Sequence, residues 1–144
     1  MSLLKIAHVP PVRVEPGDSV LRAVEIMAEA GVGAVAVVEG DQLRGIFTER
    51  DVMLRGVLRE RRSRETVMRD VMTSPAETAS DDMTAEEALS FMVERHIRHL
   101  PIVDQDGKLL GMLSIRNLLE HMVEDLQREL HSLDQYLLND GPGG

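Results

Sequence analysis

The chain has 144 residues, with 16 basic and 25 acidic side chains, a formal net charge of −9 and no cysteine. These numbers exclude disulfides, thiolate metal sites and a cysteine nucleophile, and the acidic balance argues against a nucleic-acid partner, which calls for a basic footprint. Aromatic residues are 2% (Phe47, Phe91, Tyr136), too few for a base-stacking platform, while 43% hydrophobic residues can fill one ordinary core or two very small ones.

Residues 1–8 lack the long apolar stretch of a secretion signal. The longest uninterrupted apolar run, 34–38, is far short of the ~20 residues a membrane helix needs. The expectation is a cytoplasmic chain with no membrane partner. After Pro10 comes a short extended piece, 12–14. Asp18 and Ser19 offer helix N-caps, and Val20, Ala23, Val24 and Met27 recur at helical spacing over 20–30. A buried strand over 34–38, a turn at 39–41 and a second strand over 43–47 follow, and Thr48 opens a second helix.

Residues 50–69 hold seven of the sixteen basic residues (Arg50, Arg55, Arg59, Arg61, Arg62, Arg64, Arg69) against three acids. This reads as a solvated helix end and linker, or as a basic rim that attracts polyphosphates or an acidic partner. The second half repeats the order. An extended piece lies at 77–79, Thr84 and Glu87 have capping-box spacing, and a helix covers 85–95. Strands over 100–103 and 109–113 flank a turn at 104–107. The last helix runs on with Leu119, Val123, Leu126, Leu130, Leu133 and Leu137 at 4-3-4-3-4 spacing, a heptad stripe that predicts a partner helix in a homodimer, with packing against the chain's own repeats as the alternative. Residues 139–144 are expected to fray.

Sliding the chain by 65 positions lays residues 6–10 on 71–75, Ala23 on Ala88, Met27 on Met92 and 35–39 on 100–104. One residue enters near Asp106-Gly107, and a shift of 66 then lays 43–51 on 109–117. The chain is thus a duplicated β-α-β-β-α unit, an α/β (α+β) fold with two pseudo-symmetric repeats packed sheet to sheet and an extended C-terminal helix. The expected division is repeat 1 at 5–60, a linker at 61–69, repeat 2 at 70–125 and the extension at 126–144.

The segments 31–38 and 45–51, matched by 96–104 and 111–117 and led in by 67–73, resemble the CBS domain family, whose tandem pair is called a Bateman module. The resemblance covers about residues 5–125. It implies a regulatory, non-catalytic sensor that binds an adenosyl ligand, namely AMP, ADP, ATP, NAD(H) or S-adenosylmethionine, and signals to an effector protein. The alternative is a dimerisation or interaction scaffold without a ligand.

From spacing alone, Thr48 and Asp51 form a near capping box. The resemblance implies instead that Thr48 and Arg50 meet phosphate and that Asp51 accepts from a ribose. In the second copy Ser114 and Arg116 keep the hydroxyl and the cation, but Asn117 replaces the acid with a weaker acceptor. Arg98 and His99 stand where the first copy has Gly33 and Ala34, which adds phosphate partners. By resemblance the adenine slot draws on Val14 and Val35 in one site and on Thr78, Ala79, Leu100 and Pro101 in the other. His96 and His99 straddle a helix end and a strand start with no further ligand at metal spacing, and read as cleft-lining. Gly45 and Gly111 are expected to serve strand geometry.

Overall fold

The structure is a computed structural model that describes residues 2–139; of the segment expected to fray, all but Asn139 lies outside the described residues. In the first repeat β1 (Arg13–Val14) pairs in parallel with β2 (Ala34–Glu39), which pairs antiparallel with β3 (Gln42–Thr48). In the second, β4 (His99–Val103) pairs antiparallel with β5 (Leu109–Ser114). The extended piece expected at 77–79 shrinks to one parallel bridge between Ala79 and Ile102. Both hairpins carry a bulge at matched places, Val37/Val38 and Ile102/Val103, so the duplication extends to an irregularity.

Helices α1 (Val20–Ala30) and α4 (Ala85–Arg95) cover the predicted residues. Ser19 and Thr84 side chains accept from the backbone N–H of Arg22 and Glu87, which satisfies a donor that a helix start leaves orphaned. The second helix of repeat 1 is shorter than its counterpart. After α2 (Glu49–Asp51) it widens into π-helical turns over Val52–Val57, and Leu58 N–H reaches back to Met53 C=O at 2.9 Å. A four-residue α3 (Met68–Val71) precedes repeat 2, and α5 (Ile115–Asn139) is one continuous helix of 25 residues.

Strand alternation builds the layers. Val35 and Val37 face α1 in one core, while Ala34, Ala36 and Val38 face the other repeat with Ile46, Leu109 and Met112. Leu100 and Ile102 face α4 in the second core, with Leu113 and Leu118. Two of the three β2 residues on this inner face are alanines.

Each sheet is extended by the lead-in of the other repeat. Thr73 exchanges two backbone hydrogen bonds with Ile46 of β3, at 2.8 and 3.0 Å. His8 exchanges two with Met112 of β5, at 2.9 and 3.1 Å. Gly45 and Gly111 lie at these crossings. A Cβ on Gly45 would stand 2.7 Å from the Thr73 carbonyl, and one on Gly111 would stand 3.0 Å from Leu4 and 3.4 Å from the His8 carbonyl. Their role goes beyond the strand geometry expected: Gly45 permits the close approach of a second backbone, and Gly111 makes room for the Leu4 and Val9 side chains.

Gly45→Ala is expected to cost about 1–3 kcal/mol in urea unfolding, because the obstacle is backbone and cannot step aside. Gly17→Ala, with nothing near its Cβ position, should stay within about 1 kcal/mol of the parent. Equal midpoints for the two variants would contradict the crossing.

Candidate functional site

A cavity of about 890 Å³ opens between the repeats. Repeat 1 contributes Val12, the face of α1 around Val24 and Met27, the α1–β2 turn (Gly31, Val32, Gly33, Ala34) and Glu49. Repeat 2 contributes His99, Met112, Ser114, Arg116, Asn117 and Glu120, and the exchanged lead-in adds His8. The repeat 1 side is therefore mainly apolar with open backbone, apart from Glu49, and the repeat 2 side mainly polar, apart from Met112, a mixture usual in small-ligand sites.

The alternation that packs Leu100 and Ile102 against α4 turns His99 to the opposite face, toward repeat 1. His99 and Ser114 are cross-strand partners. The Ser114 hydroxyl accepts from the Asn117 N–H at 3.1 Å, but no return bond forms, and the half-buried Asn117 amide has no hydrogen-bond partner among the described residues. Arg116 bonds Glu120 at 3.2 Å and is largely exposed. Across the cleft a Glu49 carboxylate oxygen lies 2.9 Å, and His99 Cε1 3.3 Å, from where a Cβ on Gly33 would stand. Only glycine leaves both side chains their places. Burial lowers the His99 pKa below its ordinary 6.5; Glu49 opposes that shift and Arg98 adds to it.

Thr48, Arg50 and Asp51 lie outside this cavity. The capping box read from spacing forms: Asp51 N–H donates to the Thr48 hydroxyl at 3.3 Å, and Thr48 N–H donates to Asp51 Oδ2 at 3.0 Å. The buried carboxylate also accepts from the Thr73 hydroxyl at 3.1 Å and faces Arg55 at 3.6 Å. Thr73 and His8 hold equivalent places in the duplication. The lead-in that satisfies Asp51 thus corresponds to the one that leaves Asn117 open.

The sequence grouped candidate residues by repeat, whereas the cavity is shared. It brings His99, Ser114, Arg116 and Asn117 together with the α1–β2 turn of repeat 1. Val14, Val35, Ala79, Leu100 and Pro101 are buried, so their side chains serve the cores. Thr78 is half-buried away from the cavity lining, and Arg50 and Arg98 are exposed. His8 and Glu49 line the cavity and were not anticipated. Glu49 sits inside the Thr48–Asp51 motif, where it reads as a helix-start acid. His8 reaches the cavity only through the strand exchange. His96 ends α4 in a left-handed conformation, φ 56°, and is not among the cavity residues. No helix among the described residues is long and apolar enough to cross a membrane.

The family model described as CBS domain matches residues 5–57 and 68–124. An uncharacterised protein of Methanopyrus kandleri is 37% identical over 128 residues, covering 84% of this chain and 65% of that protein. A mitochondrial CBS domain-containing protein of Arabidopsis thaliana, CBSX3, is 34% identical over 83% of this chain and 60% of its own length. The chain thus spans somewhat under two thirds of these two relatives. A putative signal-transduction protein with CBS domains from Burkholderia ambifaria superposes with a TM-score of 0.78 at 35% identity, covering 87% of this chain and 96% of that one. CBSX2, solved in complex with AMP, superposes with a TM-score of 0.73 at 25% identity over 85% of this chain and 96% of that one. The chain belongs to the CBS domain family and carries the domain twice.

The lowered His99 pKa has a sign that can be checked. The unfolded imidazole takes a proton below about pH 6.5, while the folded one resists it. Stability present above that pH is therefore lost as pH falls toward the folded pKa. In urea unfolding at about pH 7 and about pH 5, His99→Gln should lose less stability than the parent over that interval. An equal loss would place the acid sensitivity on other groups.

Proposed function

We propose that this CBS-domain pair is a non-catalytic regulatory module that binds an adenosyl ligand in the cavity between its repeats, works as a homodimer and passes its occupancy to an effector protein. The observation that carries the reading is the unpartnered Asn117 amide. It faces an 890 Å³ cavity with an apolar wall on one side and His8, His99, Ser114 and Arg116 on the other. An adenine fits against Val12, Val24, Met27 and Val32, with the open backbone of 31–34 for its ring edges. Asn117 offers one acceptor and two donors to ribose hydroxyls. A phosphate, where the ligand has one, meets the Ser114 hydroxyl, the histidines and Arg116. Arg116 must leave Glu120 to do so, but an exposed pair of this kind is worth only ~0–1 kcal/mol. AMP is bound by CBSX2, which supports the ligand class without choosing among AMP, ADP, ATP, NAD(H) and S-adenosylmethionine.

The Thr48–Arg50–Asp51 side is the second candidate. A ribose there competes with Thr48 and Thr73 for Asp51, so that site fills after the shared cavity. Occupancy alters function only through differential affinity for two arrangements of the pair. The cavity walls belong to different repeats, so a ligand that bridges them favours the closed arrangement. A scaffold without a ligand is the competing reading, favoured by the apolar stripe of α5, which is independent of the cavity.

Calorimetry with AMP, ATP, NADH and S-adenosylmethionine tests the proposal. At least one should bind, and Asn117→Ala should weaken it about tenfold, the worth of about 1.4 kcal/mol in lost hydrogen bonds. Asn117→Ala has no internal bond of the amide to break, whereas Asp51→Ala removes a cap and two further partners and confounds binding with folding. No binding by any of the four supports the scaffold. Binding that ignores Asn117→Ala moves the ligand out of this cavity.

A further inference from the structure

Among the described residues, the carboxylates and guanidinium that line the cavity are those of Glu49, Glu120 and Arg116. Arg116 and Glu120 pair with each other at 3.2 Å, whereas Glu49 makes no ion pair and no side-chain hydrogen bond among the described residues. Its backbone fixes its place. The Glu49 N–H donates to the Gly33 carbonyl at 3.0 Å, which ties the start of α2 to the α1–β2 turn. A Cβ on Gly33 would stand 2.9 Å from Glu49 Oε1 and 3.3 Å from His99 Cε1, so the carboxylate and the imidazole border the same space from opposite repeats.

That place decides which part of a ligand Glu49 meets. A ribose held by the Asn117 amide lies one helical turn from Ser114, and Ser114 is the cross-strand partner of His99. A group carried on the 5′ carbon of that ribose, continuing toward Ser114 and His99, enters the space that Glu49 borders. A phosphate dianion there meets an unpaired carboxylate, with one already engaged guanidinium to offset it. Burial lowers the His99 pKa, so its imidazole is neutral at pH 7 and adds no positive charge. Arg98 is exposed and outside the cavity lining. A cationic group in the same space is attracted by the carboxylate that repels phosphate.

We propose that Glu49 determines the specificity of the cavity: it reads the charge on the 5′ substituent of an adenosine and selects a sulfonium, as in S-adenosylmethionine, over a phosphate. The sulfonium and ammonium of that ligand face Glu49, and its carboxylate is left for Arg116, so both charges of the ligand's amino-acid tail find an opposite. The selection rests on the adenosyl reading of the cavity and narrows it. Part of it is exclusion: an unpaired acid on the wall penalises the wrong ligand as well as favouring the right one.

Three adenosines that differ in charge at the 5′ carbon test this by calorimetry: S-adenosylmethionine, uncharged 5′-methylthioadenosine and AMP. The parent should bind S-adenosylmethionine about tenfold more tightly than AMP. Glu49→Gln keeps the size and removes the charge. It should weaken S-adenosylmethionine about fivefold, tighten AMP about fivefold and leave 5′-methylthioadenosine within about twofold. The Glu49 side chain is exposed and its backbone bond to Gly33 is untouched, so the variant is expected to fold, with unchanged far-ultraviolet circular dichroism as the control. A parent that prefers AMP, or a Glu49→Gln effect that is absent or has one sign for all three, overturns the charge selection. Binding that Asn117→Ala still weakens then leaves the adenosyl reading standing. Binding of none of the three, or binding that ignores Asn117→Ala, overturns both.

Discussion

Thr73 and Ile46 exchange backbone hydrogen bonds across the boundary between the repeats, and so do His8 and Met112. Much else in the structure follows from that reciprocal exchange. A unit of some sixty residues is near the size at which a domain buries too little surface to be secure alone. Here each lead-in extends the sheet of the other unit, so the two cores and the layer between the sheets form together. Gly45 stands where the Thr73 backbone crosses and must lack a side chain, and Gly111 leaves room for the other lead-in. Backbone hydrogen bonds satisfied between units also hold the two sheets in register, and a cavity with one wall from each can then keep a defined shape.

Polarity in that cavity comes from strand alternation. Packing Leu100 and Ile102 against α4 obliges His99 to face repeat 1, and Ser114 opposite shares its side. Gly33 answers them from the first repeat, and its missing side chain makes room for Glu49 and the imidazole. The two copies of the motif therefore have unlike surroundings. Where repeat 1 has Asp51, the Thr73 hydroxyl and Arg55 satisfy the carboxylate; where repeat 2 has Asn117, the equivalent lead-in residue is His8 and the amide stays open.

Features set by local chemistry were legible in the sequence. Ser19 and Thr84 mark the starts of α1 and α4 because a cap is a bond between neighbours, and the 34–38 run reads as a strand because both of its faces are buried. The duplication was legible from spacing, and with it the two-unit fold. The exchange of lead-ins was not, since nothing in residues 6–10 or 71–75 says which sheet edge they will meet. For the same reason the candidate residues sorted themselves by repeat, and the joining of Ser114, Arg116 and Asn117 to the turn at 31–34 emerged only in three dimensions. Glu49 was hidden by its surroundings: between Thr48 and Asp51, an acid at a helix start already has an explanation in the helix dipole.

The same reasoning gives the net charge of −9 a spatial meaning. Arginines gather at 55–69, close to one exposed apolar cluster, and carboxylates gather along α5 beside the other. Met53 and Val57 correspond to Leu119 and Val123 in the duplication, whereas the stripe from Leu126 to Leu137 runs on past it. An apolar stripe alone would be indifferent to its partner, because burial has no direction. Its acidic flanks give it a direction, since like charges repel and a basic surface attracts. The cavity between the repeats takes one wall from each. On the proposed reading, a ligand that touches both walls acts through the arrangement of the two repeats, because it can favour one arrangement only by binding it more tightly.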